Sequence, residues 1–528
     1  MKIRPRPSLH YPDWPLHQFL RNGADQYPER VALRFDDQAL RFRELDAYGT
    51  CFANALRDLG LMVGDRMLLI AFNRPEWLMA QHGASQAGCS TVLGNASWKA
   101  AEIEHALGLT KPMAVVADAE MAAVLVASGL VLPRVKVCLD DDTSGLPGWL
   151  SFWDLVGAAS GMRPPDLDAD LSRLESLLPF SSGTTGLPKA VRHSHKSLVA
   201  ASLQRVSAYD VSESDRLQYF MPLFTAFGML VVATAFAGKA SLRLFRRFDP
   251  ETVLHNIQEE RITVGFAAAP VAVALRDRPD LENYDCSSVR YFMWGATPIM
   301  PDVANEVTRR CGIRFMGAYA ATEIGIASNP AAYPEQYRLD TPGYPLSDCV
   351  IRIVDVETGE DVAPGGEGEL VVKSASVMMG YLPDDANDEA FLDGAGGEWF
   401  RTGDVGWMEP EGWVHLTDRA KELIKVSGFS VSPAEIEKCL FGHAAVADTA
   451  VWGMKDERRG EMPAAAVVVA PGHVADAALV AELKAYVSAK LANYKQLKDV
   501  IFVESIPRNA GGKVLRRVLK ADHPGSGT

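Results

Sequence analysis

Along the first part of the chain, strand-length apolar runs alternate with stretches of helical spacing. Phe42 to Leu45 leads into Asp46-Ala47-Tyr48 and an amphipathic helix pattern running to Leu59. MLLIAF at 67–72 is strand-like, Glu76 to Ala87 has helical spacing, Asn95 to Leu107 is a further helix candidate, and MAVVAD at 113–118 reads as a strand. Beyond a polar loop near 181–189 the rhythm resumes with helix 197–207, strand LQYF at 217–220, helix 228–237, strand 241–245 and helix 250–260. TVGFAAAP at 263–270 and the strand VRYFMW at 289–294 follow. Strands separated by helices of this length predict parallel sheets joined by crossover connections.

From about residue 343 the texture changes to short strands, VIRIVD, GELVVKS and WVHL, with Gly, Pro and Asp between them. After Asp418 it returns to mixed α/β, with helices expected near 433–442 and 475–491. The expected fold is therefore α/β. A large N-terminal domain, 1–418, carries parallel-rich sheets and a β-rich subdomain at about 343–417; a small mobile α+β lid spans 419–528. The charged run Arg419-Ala420-Lys421-Glu422 suits an exposed hinge. A length of 528 residues agrees with more than one domain, since one core stops growing well below that size. No internal repeat is present, and the PGSGT tail reads as disordered.

Composition narrows the function classes. There are 53 basic and 67 acidic residues, a net charge of −14, which disfavours a general nucleic-acid-binding surface. No apolar run approaches the ~20 residues needed to span a bilayer, and MKIRPRPSLHYPDWPL lacks the apolar segment of a secretory signal. Seven cysteines are scattered singly, without a CxxC pair or His/Cys cluster. A reduced cytoplasm is the expected setting.

The chemistry concentrates in FSSGTTGLPKAV, 180–191. Ser181, Ser182, Thr184 and Thr185 supply hydroxyl donors, Gly183 and Gly186 let the backbone turn N–H groups toward one point, and Lys189 adds a mobile positive charge. Such a loop suits a polyphosphate. It differs from a Walker loop, because Leu187-Pro188 precede the lysine where a glycine would stand. A solvent-exposed linker is the alternative for the loop alone; the ordered flanks argue against it.

With the remaining motifs, nearly the whole chain, about 15 to 520, resembles the adenylate-forming superfamily of acyl-CoA synthetases, peptide-synthetase adenylation domains and luciferases. SSGTTGLPK resembles its phosphate-binding signature, with Ala190 where glycine is usual. GAYAATE, 317–323, resembles the YGxTE motif. It implies Tyr319 and Ala318 beside the adenine, Thr322 on phosphate, and Glu323, with Thr184, holding Mg²⁺. WGATP, 294–298, resembles the segment whose backbone at Gly295, Ala296 and Thr297 passes the nucleotide and the acid. EWFRTGDVG, 398–406, implies Asp404 on the ribose hydroxyls, and TDRAKELIKVSGF implies Arg419 on phosphate or ribose, Lys421 as hinge, and Lys425 and Gly428 beside the thiol tunnel. PRNAGGKVLRR, 507–517, implies Lys513 as the lysine of adenylation.

The resemblance further implies an acyl pocket holding His195, Phe220, Phe224, Thr225, Phe227, Phe266, Trp294, Gly295 and Ala320. Thr225 stands where histidine is usual; either the acyl group is unusual or the task passes to Phe224 or Phe227. No basic residue lies in these segments to meet a second carboxylate, which points to a compact aromatic, alicyclic or short-to-medium-chain monocarboxylic acid. The implied reaction joins that acid to coenzyme A through an acyl-AMP, with ATP and Mg²⁺ as cofactors. A standalone enzyme loading a carrier protein and an inactive nucleotide- or acyl-binding homologue stay open. So does the choice between monomer and homodimer. No carrier domain or Asp-Ser attachment motif is seen up to residue 528, which favours coenzyme A as acceptor.

Overall fold

The computed structural model describes residues 5–181, 188–297, 299–394, 396–426, 429–456, 458–508 and 514–523, with backbone alone at 421, 429 and 430. These divide into two compact units, one of 5–181, 188–350 and 373–400, the other of 351–372 and the residues from 401 onward.

The first unit holds two large sheets. In one, the strands Arg216–Tyr219, Val264–Ala267, Tyr291–Trp294 and Phe315–Ala321 are parallel neighbours in that order. Phe315–Ala321 then turns back into the antiparallel strand Ile324–Ser328. The second sheet is built on the parallel strands Arg66–Ile70, Ser90–Gly94, Ala114–Ala117 and Val135–Cys138 and ends on Glu175–Leu178, Lys189–Ser194 and Gly380–Leu382. The parallel strands are buried on both faces, as crossover helices require. One core cluster gathers Phe220, Leu254, Ile257, Leu275, Phe292, Trp294 and Phe315 between the first sheet and the helices Pro250–Glu260, Ala269–Arg276 and Pro301–Cys311.

Most expected elements appear within two residues. The helix expected from Asn95 begins instead at Ala100, because the Asn95 side-chain Oδ1 takes the Ser97 N–H (2.8 Å) and the Glu102 carboxylate takes the Lys99 N–H (2.8 Å). The helix Phe42–Asp58 starts ahead of the amphipathic run, where the Glu44 carboxylate accepts the Arg41 N–H (2.8 Å). The apolar pattern did not mark the strands Lys189–Ser194, Phe315–Ala321 and Ile324–Ser328, none of which alternates simply between apolar and polar residues; Ile324–Ser328 is buried throughout.

The second unit carries a four-stranded sheet, Val350–Val354, Gly368–Lys373, Phe400–Met408 and Val414–Arg419, and a five-stranded sheet led by the hairpin Val446–Asp456 and Gly460–Val469. The helices Pro433–Phe441 and Ala477–Lys490 pack on the latter through Ile436, Leu440, Leu483 and Val487. Asp418 accepts the Ser432 hydroxyl (2.6 Å) and the Ala434 N–H (3.0 Å), joining the sheet end to the start of Pro433–Phe441. Arg419 pairs with Asp404, and Glu422 pairs with Arg516.

Among the described residues no helix is long and apolar enough to cross a membrane.

Candidate active site

Four adjacent parallel strands end along one edge of the first sheet. Their carboxyl ends deliver the segments 220–228, 268–270, 295–297 and 318–323 to that edge. Ligands of open parallel sheets bind outside such ends. The segments selected from sequence as nucleotide- and acid-binding are therefore brought together by strand order.

The acyl candidates do not form one wall. Tyr219, Phe227 and Phe266 meet as an edge-on triangle, with ring centroids 5.8 to 6.1 Å apart. Phe220 turns to the other face of the sheet and packs on Phe245 and Phe248 (6.4 and 4.8 Å), and Trp294 lies in the same core with Phe315 (5.3 Å). Strand alternation separates them, since neighbouring side chains on a strand point to opposite faces. His195 is likewise a core residue: its Nδ1 accepts the Leu16 N–H (3.0 Å), and burial pushes it down to about 3. Phe224 is half-buried.

Thr225 caps the helix Ala226–Ala237. Its hydroxyl accepts the Gly228 N–H (3.0 Å) and donates to the Pro222 carbonyl (2.9 Å). In the neighbouring turn the Thr297 hydroxyl accepts from the Trp294 indole N–H (3.1 Å) and the Ala269 N–H (3.0 Å). Gly295 takes the Thr297 N–H through its carbonyl (2.8 Å), and Ala296 is exposed with φ +64°. Only glycine holds that conformation without a steric cost, so alanine there stores strain beside the strand ends.

The segments expected to meet phosphate are built differently. Ser182, Gly183, Thr184, Thr185 and Gly186 lie outside the described residues. The arms of their loop are pinned, because Ser181 and Lys189 are antiparallel partners and Phe180 packs edge-on against Trp98 (5.0 Å). The strand from Lys189 is anchored by Glu175, which takes the Arg192 Nε–H (2.6 Å) and the Arg66 Nε–H (2.8 Å). Burial works against the Glu175 carboxylate, yet the two guanidinium groups hold it below its ordinary value.

Beside that strand lies the turn of Thr322 and Glu323. The His193 Nε2–H donates to the Thr322 carbonyl (2.9 Å), and the Met378 N–H to the Glu323 carbonyl (3.0 Å). The Tyr381 hydroxyl donates to Glu323 Oε1 (2.8 Å), while the Lys189 ammonium lies 5.3 Å from the Tyr381 ring centre. Burial pushes His193 down to about 4, so it donates as a neutral imidazole. Glu323 and Tyr319 are buried, Ala318 is half-buried and Ala320 is exposed. Lys189, Thr322 and Glu323 thus come together; Tyr381 and His193 were not singled out by sequence. Tyr381 lies far along the chain in MMGYLPDD, and only the pairing of Val191 with Tyr381 brings it here.

In the second unit, Asp404 and Arg419 are cross-strand partners with an Nε–Oδ1 distance of 2.6 Å. The Thr402 hydroxyl accepts the Asp404 N–H (3.0 Å), orienting a carboxylate expected on ribose. Lys425 is exposed, and its N–H donates to Glu461 (3.0 Å). Gly428 and Lys513 lie outside the described residues, and the backbone at Lys421 forms part of the short helical turn Ala420–Glu422.

Among the described residues no group of three or more His, Cys, Asp or Glu could hold a metal. A hard cation here would rest on nucleotide phosphates and one carboxylate, an arrangement Mg²⁺ adopts readily.

Comparison with known proteins gives a consistent placement. Residues 20–382 match the model of the AMP-binding enzyme family, and residues 435–513 match that of the AMP-binding enzyme C-terminal domain. 4-Coumarate–CoA ligase 2 of Oryza sativa subsp. japonica is 31% identical over 96% of this chain and 92% of its own. The structure of the anthranilate CoA ligase AuaEII with anthranoyl-AMP superimposes with a TM-score of 0.87 at 24% identity, covering 97% of this chain and 98% of that one, a likeness of fold. ATP-bound MatB from Rhodopseudomonas palustris gives 0.85 at 26% identity over 97% and 99%.

Proposed function

The chain belongs to the AMP-binding enzyme family and is an AMP-forming acid–thiol ligase, and we propose that it joins a compact monocarboxylic acid to coenzyme A through an acyl-AMP. The observation that carries this reading is the corner at the strand ends, where the Glu323 carboxylate and the Lys189 ammonium meet the arms of the hydroxyl-rich loop.

In the first half-reaction a substrate carboxylate oxygen attacks the α-phosphorus of ATP, and the bond to pyrophosphate breaks. The acid is its own nucleophile, so the protein must orient the reactants in line and neutralise charge. Lys189 and Lys513 would bear on the phosphate oxygens, Thr322 would donate to them, and Asp404 would hold the ribose. Glu323, with Thr184, would hold Mg²⁺, which offsets phosphate charge when bound. In the second half-reaction the thiol sulfur attacks the acyl carbonyl and AMP leaves. A domain boundary near 418/419 with a hinge at Lys421 would let the C-terminal domain present Lys513 first and the Lys425–Gly428 stretch second.

The aromatic triangle of Tyr219, Phe227 and Phe266, together with coumarate-activating relatives, supports a compact aromatic acid over a long chain. The seven cysteines are thiols, which suits a reduced cytoplasm.

The test is a panel of carboxylic acids with ATP, Mg²⁺ and coenzyme A, followed by mass spectrometry of AMP and acyl-CoA. Acyl-CoA from one acid class supports the proposal. Acyl-AMP without thioester would favour carrier loading, and no product from any acid would favour a binding protein.

A further inference from the structure

Glu323 is a buried carboxylate, and a buried charge needs partners with defined geometry. One of them is the Tyr381 hydroxyl at 2.8 Å. Its position is fixed from several sides. The Tyr381 N–H donates to Asn387 Oδ1 (2.7 Å), its carbonyl accepts from Asn387 Nδ2 (3.2 Å), and Tyr381 is paired across the sheet with Val191. Gly380 has φ +142°, and a Cβ there would lie 2.7 Å from Asn387 Oδ1, so the approach of Asn387 depends on a glycine. The same ring presents its face to the Lys189 ammonium at 5.3 Å, within range of a cation–π contact. One side chain therefore touches both the candidate metal-holding carboxylate and the candidate phosphate-binding ammonium, and links two segments far apart in sequence.

We propose that Tyr381 is a positioning residue that sets the Glu323 carboxylate for Mg²⁺·ATP through its hydroxyl and steadies Lys189 through its ring. This rests on the function proposed above. A hydrogen bond to a charged group corresponds to roughly a 10- to 100-fold effect on an equilibrium it supports. The hydroxyl and the ring act on different groups, so two variants separate them. Tyr381→Phe keeps the ring and removes the hydroxyl; Tyr381→Leu removes both.

The experiment measures the Mg²⁺ concentration for half-maximal pyrophosphate exchange. In parallel it measures the rise in melting temperature caused by ATP with Mg²⁺ and by ATP with EDTA. Tyr381→Phe is expected to raise the Mg²⁺ half-saturation by about 10-fold and to shrink the Mg²⁺-dependent part of the melting shift. Its KM for ATP at saturating Mg²⁺ and for the acid should stay within about 2-fold, as a general loss of structure would not allow. Tyr381→Leu should in addition raise the KM for ATP several-fold. A wild-type response to Mg²⁺ that Tyr381→Phe leaves unchanged in both readouts overturns the inference alone. A wild-type protein that ATP and Mg²⁺ neither stabilise nor activate overturns the proposed function, and this inference with it.

Discussion

The two sides of the strand-end site are held in different ways. On the side proposed for phosphate, the turn of Thr322 and Glu323 is fixed from outside its own hairpin, by His193 of the strand Lys189–Ser194 and by Met378 and Tyr381 at the strand Gly380–Leu382. On the side proposed for the acid, threonine hydroxyls take part in the holding. Thr225 caps its own helix, Thr297 joins its own turn to the Ala269 N–H of the neighbouring segment, and Ala296 sits in a strained conformation. A carboxylate and two carbonyls tied to two strands keep one geometry whatever acid is bound, which suits the chemistry that every substrate shares. Turns that hang on single threonine hydroxyls can change shape with less disturbance of the sheets, which suits the choice of acid.

Breaking the phosphate corner should have the largest effect. Glu323→Gln keeps shape and removes charge, and pyrophosphate exchange should fall on the order of 100-fold, the scale for losing an aligned electrostatic group. A loss below tenfold, measured by single-turnover exchange, would detach Glu323 from the chemistry.

Acid sharpens the comparison next. A histidine titrates near ~6.5 when unfolded, whereas burial lowers His193 to about 4 and His195 to about 3. In that window the unfolded chain binds protons that the folded chain refuses. Their stabilising contribution is therefore complete above about pH 6.5 and declines as pH falls, by up to ~1.4 kcal/mol per pH unit for each histidine. Urea midpoints measured between about pH 7.5 and 5 should show this slope, and His195→Gln should reduce it. A slope that the substitution leaves intact would place the proton uptake elsewhere.

The acyl side should respond more weakly and in a different parameter. Thr225→Ala removes a helix cap worth about 1 kcal/mol. It should lower the melting temperature slightly and change the KM for the acid while leaving that for ATP. Thr225→Ser should behave as wild type, and equal changes in both KM values would contradict the division of labour. Smallest is Ala296→Gly, expected to stabilise by up to ~1 kcal/mol through relief of the positive φ. Calorimetry showing destabilisation would mean that the alanine methyl packs usefully.

The fold class was legible in the sequence, and Lys189, Thr322, Glu323 and Asp404 were selected there from short motifs. Tyr381 was invisible, since nothing local in MMGYLPDD marks it and only the antiparallel pairing with Val191 places it. The aromatic candidates were misgrouped for a related reason. Phe220 and Phe227 stand seven positions apart in one segment, yet strand alternation sends Phe220 into the core behind the sheet. Thr225 was legible as a departure from a family pattern, but its capping role depends on the helix starting at Ala226. The exposed hinge expected at Arg419 to Glu422 overlooked Asp404 and Arg516, which strand pairing and tertiary packing bring to it.

Wild-type protein is mixed with Mg²⁺, ATP and the best acid of the panel, acyl-AMP and pyrophosphate are quantified, and coenzyme A is then added. Enzyme-bound acyl-AMP is expected to form first and to disappear on addition of the thiol, with acyl-CoA and AMP released in equal amounts. Acyl-AMP that persists in the presence of coenzyme A, or that never forms, would contradict the proposed function.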